Sequence, residues 1–145
     1  MNVNGLLKIF KIYPQQMQRN DKYYEVFIFN SHESMYVYYN NTGGYRKCNF
    51  DAICRDLEIY KGDITLNKIG EILIPIEKCN INVITHECAH AIFQYMRKFG
   101  KIDILGYIDE NNCWKGEEMY CDLLGKTVSQ FIHTLFILNA RDVLI

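Results

Sequence analysis

Near residue 80 the chain changes its period. Before that point apolar residues come in short runs rich in β-branched and aromatic types; beyond it they recur every three or four positions. Such a chain builds a sheet from its first part and helices from its second, and buries one against the other. The split predicts an α+β fold, a small mixed sheet packed on two long helices. Strands and one short helix are expected over 1–78, the two long helices over 79–145. With 145 residues there is chain for one core, so a single domain over 1–145 is expected.

Local signals place the elements. Leu6–Tyr13 reads as a strand ended by Pro14, and Tyr23–Phe29 as a buried strand. Asn30 with Glu33 three residues later resembles a capping box, which opens a short helix over 31–40; a strand is the competing reading there. Ala52–Tyr60 reads as a further strand, and Gly70–Pro75 as one ended by its proline. Asn80 is the expected N-cap of a helix running to about Lys98 and stopped by Gly100. Its apolar face is Ile81, Ile84, Cys88, Ala91, Ile92 and Tyr95. After a loop over 101–115, a last helix starts near Lys115 or Gly116 and runs to about Ala140, with Glu117 and Glu118 favouring its positive end.

Composition narrows the function. A net charge of −1 gives no basic field to draw in nucleic acid or acidic membranes. The apolar start is broken by Lys8 and Lys11, unlike a signal peptide, and no apolar run approaches the roughly 18 residues of a membrane span. A cytoplasmic protein is expected. Its six cysteines are then reduced thiols packed as small apolar residues.

Residues 86–90 read His-Glu-Cys-Ala-His, a match to H-E-x-x-H. In a helix, positions four apart share a face, so His86 and His90 can offer their imidazoles to one zinc ion. Glu87 projects about 100° round the helix from His86, beside such a metal and not on it, where it can act as general base. A catalytic zinc needs a third protein ligand.

Downstream lies Gly116-Glu117-Glu118-Met119-Tyr120-Cys121-Asp122. With this segment the sequence resembles the gluzincin branch of the zincin metallopeptidases, which pair H-E-x-x-H with E-x-x-x-D on a later helix. The order of elements over roughly 69–135 is similar to compact zincins of phage and mobile elements, of ImmA/IrrE-like or SprT-like type. The resemblance implies one zinc ion held by His86, His90 and Glu118, with Asp122 orienting His86 from behind. Glu117 is the rival ligand. It implies a zinc-dependent peptidase with a protein or peptide substrate. It also implies that Glu71, Ile72, Leu73 and Ile74 form an edge strand that hydrogen-bonds an extended substrate. Larger relatives carry a further helical domain, and this length leaves no room for one, so an open, shallow site is expected. The alternative is a catalytically weak or inactive zincin-fold binding or inhibitor protein of a phage or mobile element. Metzincins fit less well, since Ala91, Ile92 and Phe93 follow His90.

The remaining candidates read as structural. His133 lies fifteen residues past Glu118, about 22 Å along a helix, too far to share its metal. His32 reads as structural or exposed. Cys88 points away from both histidines, and Tyr95 is about 180° from His86, so both read as core. Cys121 is a remote thiolate candidate, Tyr107 and Tyr95 are weak oxyanion donors, and Trp114 reads as a loop anchor.

Overall fold

A computed structural model describes residues 3–15, 22–44, 50–56, 67–100 and 115–143. Among these residues four strands, β1 (Leu6–Ile12), β2 (Tyr23–Phe29), β3 (Ile53–Asp56) and β4 (Lys68–Pro75), form one mixed sheet in the order β1-β2-β4-β3. Three α-helices join it: α1 (His32–Asn41), α2 (Ile81–Tyr95) and α3 (Lys115–Val143). The fold is thus α+β, with the H-E-x-x-H helix and the last helix packed against a small mixed sheet. Tyr107, Trp114, Cys48 and Cys113 lie outside the described residues, as does the part of the third expected strand beyond Asp56.

The period-2 rule sorts the sheet residues between two cores. On one face Phe27, Phe29 and Leu73 pack with Met35 and Tyr39 of α1. On the other, Tyr24, Val26, Ile28, Ile72 and Ile74 pack beneath α2 and α3. Each fully buried Ile or Phe here contributes about 1.5–3 kcal/mol. Gly70 permits the close approach of β2 on this face: a Cβ there would collide with the ring of Tyr24.

The caps show local chemistry at work. Asn80 caps α2 as expected, its Oδ1 accepting from the Val83 N–H at 3.0 Å. At α1 the expected cap shifts by one residue. Ser31 is the N-cap, its Oγ accepting from the Ser34 N–H at 3.1 Å, while Asn30 Oδ1 accepts from the Ser34 hydroxyl. Two adjacent residues can each cap, and the one whose backbone is extended at the helix start takes the role.

One expectation is overturned. β4 is not an edge strand: it pairs in parallel with β2 from Lys68 to Pro75 and antiparallel with β3 from Gly70 to Leu73. Glu71, Ile72 and Leu73 are buried between two neighbouring strands and cannot receive a substrate strand, and Ile74, paired with β2, is fully buried as well. Among the described residues the edges are β1 and β3. Glu71 instead anchors a buried ion network. Its carboxylate accepts from Arg55 Nη2 at 2.6 Å and from Lys68 Nζ at 2.7 Å, and Arg55 Nη1 also donates to the Thr42 carbonyl at the end of α1.

Candidate metal centre

The motif lies in the middle of α2, where Asn80 sets the helix start and Ile84, Cys88, Ala91 and Ile92 fix its rotation by packing on the sheet. That rotation leaves His86 and His90 on the solvent side and turns Glu87 inward toward β3. The Nε2 atoms of the two histidines are 3.1 Å apart and their rings meet edge-on at 4.7 Å between centroids. Two nitrogens bound to one tetrahedral zinc at about 2.0–2.1 Å stand about 3.4 Å apart. The pair therefore fits two corners of a zinc site with a small adjustment. Partial desolvation and the neighbouring His86 both hold His90 below the usual imidazole range, which favours the neutral ring that ligates metal.

Glu87 is 5% exposed. Burial pushes its carboxyl above the usual carboxylate range, while His86 and a hydrogen bond from the Cys54 backbone N–H oppose that rise. The acid thus sits between the motif helix and edge strand β3. It opens with His86 into a pocket of about 380 Å³ that is walled by Phe50 and Val83.

The resemblance-derived partners on α3 are not brought to this pair. Leu123, Thr127 and Phe131 face the core. Glu118 is nine residues before Thr127, hence about 180° round the helix, and it is exposed. Glu117 is exposed as well. Asp122 does not orient His86: it pairs with Lys126 Nζ at 2.9 Å. It lines a separate hollow between α3 and the Tyr13–Gln15 segment, with Cys121 and His133. Among the described residues no three His, Cys, Asp or Glu side chains gather as a metal site. The donor set present is thus the two histidines with Glu87 beside them.

The other candidates fall where their chemistry suggests. Cys88 is fully buried, and burial pushes its thiol up to about 12. Tyr95 is core, with its hydroxyl donating to Gln15 Oε1 at 2.9 Å. His133 is exposed on α3. His32 has a structural task that its sequence context did not reveal: its Nε2 donates to the Phe50 carbonyl, and its ring lies on Tyr36. Compared with models of known protein families, with curated proteins and with solved structures, the sequence matches none.

Proposed function

We propose that this protein is a zinc-dependent metallopeptidase that hydrolyses peptide bonds with Glu87 as general base. The observation that carries the reading is the convergence of His86 and His90 Nε2 at 3.1 Å beside a buried carboxylate. His86 and His90 would hold a single zinc ion; the third protein ligand that a catalytic zinc needs is not gathered beside them among the described residues. Zinc supplies Lewis acidity toward a peptide carbonyl and brings the pKa of water near neutrality. Glu87 takes the proton of the attacking water and returns it to the leaving amine. Burial raises its proton affinity above that of an exposed carboxylate, which suits a group that takes and returns a proton, and the Cys54 N–H holds the carboxylate in place. The near-neutral charge fits a protein or peptide substrate better than nucleic acid. Among the described residues no helix is long and apolar enough to cross a membrane. A cytoplasmic setting is part of this reading.

A second reading has its own observation. Glu118 faces away from the core while the histidines converge, which favours a zincin-like binding or inhibitor protein whose metal is structural or vestigial. Metal analysis with a peptide-library assay separates the two. A peptidase binds one zinc per chain, loses it in His86→Ala and His90→Ala, and cleaves in a chelator-sensitive way. Glu87→Gln then keeps zinc and loses about 10²–10⁴-fold in rate. Zinc without cleavage selects the binding protein with a structural metal, and no zinc rejects the peptidase.

A further inference from the structure

The pocket beside His86 and Glu87 carries a charge that the proposed hydrolysis does not use. Besides those two residues it is lined by Phe50, Asp51, Ala52, Asn82 and Val83. Phe50 and Val83 make apolar walls, Asn82 adds an amide, and Asp51 adds a carboxylate. The wall is fixed. The Phe50 N–H donates to the Tyr36 hydroxyl at 2.8 Å, and its carbonyl accepts from His32 Nε2, so both backbone polar groups of this residue are pinned to α1. Because a carbonyl can only accept, His32 must carry its proton on Nε2 in this contact. A volume of about 380 Å³ lies within the range of small-ligand sites.

Asp51 already shows what it binds. Lys78 Nζ stands 3.4 Å from Asp51 Oδ1, and their side chains are 40% and 65% exposed. An exposed pair of this length is weak and open to competition. We propose that the pocket is the side-chain subsite of the peptide site and selects a basic residue, Lys or Arg. The apolar stem lies between Phe50 and Val83, and the cationic head takes Asp51 from Lys78. An acidic side chain would meet two carboxyl groups, those of Asp51 and Glu87, and is rejected. The inference rests on the reading that the site binds peptides, and it extends that reading to a substrate class.

The test uses blocked short peptides that differ only at one residue, Lys, Arg, Leu or Glu. Binding to the zinc-loaded and zinc-free protein is followed by NMR, and cleavage by mass spectrometry. Lys and Arg peptides are expected to bind about two- to fivefold more tightly than the Leu peptide, an advantage that shrinks with added salt. Asp51→Asn should remove that advantage, and Lys78→Ala, which removes the internal competitor, should increase it. Opposite responses of the two variants separate selection at the pocket from a general loss of folding. Cleavage of the library without a basic preference, or a preference that both variants leave intact, overturns the subsite while the peptidase reading stands. A basic preference that responds to both variants, with no cleavage, upholds the subsite and removes the peptidase. Absence of any differential binding overturns the subsite.

Discussion

The carboxylate of Glu87 accepts a hydrogen bond from the backbone N–H of Cys54, so the motif helix and edge strand β3 meet at the acid proposed to carry the proton. Neighbouring Arg55 is held by Glu71 of β4, and this ion pair fixes the strand from its other face. The position of Glu87 therefore depends on the sheet as well as on its own helix.

Glu87→Gln should make the metal-free protein more stable while abolishing hydrolysis. The folded state raises the proton affinity of Glu87 through burial, so its ionised form opposes folding near neutral pH. Glutamine keeps an oxygen to accept from Cys54 and carries no charge. The expected gain is about 0.5–1 kcal/mol, read as a higher Tm or urea midpoint in the presence of chelator. A lower midpoint would show that the charge is stabilising.

Glu71→Ala should cost about 2–4 kcal/mol, because it leaves Arg55 and Lys68 beside a buried hole with their partner gone. Denaturant unfolding measures this. An Arg55 and Glu71 double-mutant cycle should return a coupling well above the few tenths expected of an exposed pair.

Changes on the outer face of α3 should be mild. Asp122→Asn breaks an ion pair whose side chains are 60% and 67% exposed, so stability should stay within about 0.5 kcal/mol. Glu118→Ala should leave zinc stoichiometry unchanged, since the packing of Leu123, Thr127 and Phe131 turns Glu118 outward. Loss of zinc in that variant would mean that α3 takes another rotation when metal binds.

Stability should fall as pH rises above about 9, the region where unfolded thiols and phenols begin to ionise. Burial raises the Tyr24 phenol well above its ordinary value, with Asp56 adding to the effect, and raises the Cys79 thiol to about 11. In this window the unfolded chain binds fewer protons than the folded one, so the slope of stability with pH is negative. Urea midpoints across the alkaline range should show it. Tyr24→Phe should flatten the slope, although it loses the 2.9 Å bond to Asp56, worth about 1 kcal/mol at neutral pH.

Much of this was legible in the sequence wherever the cause is local. Asn80, the apolar stripe from Ile84 to Ile92 and Pro75 act within a few residues of where they stand, and the elements they mark lie close to expectation. The i,i+4 spacing brings His86 and His90 together, and the rotation of α2 that follows from that stripe turns the pair to the solvent side. Strand order is set by distant partners and was misread. A signal was present: Ile69 and Ile72–Pro75 are apolar on both faces, the mark of a strand with neighbours on both sides. The third ligand failed for a related reason. E-x-x-x-D fixes the spacing of Glu118 and Asp122 but not the face they occupy, which the apolar residues farther along α3 decide. The Asp51 pocket had no sequence signature, since its wall depends on His32 and Tyr36 reaching Phe50 from α1.

The parallel pairing of β2 with β4 also has a kinetic consequence. Its strands start at Tyr23 and Lys68, so forming the centre of the sheet closes a loop through α1 and β3. Closure of a loop of that length costs about 3 kcal/mol of chain entropy before any side chain packs, beyond a fixed initiation term. Sequence-distant contacts of this kind slow folding. The motif helix follows β4 directly and rests on the completed sheet. The histidine pair is set by the i,i+4 spacing within α2 alone, whereas the contact of Glu87 with β3 needs the sheet in place, so the two halves of the candidate site depend on local and on sequence-distant contacts respectively.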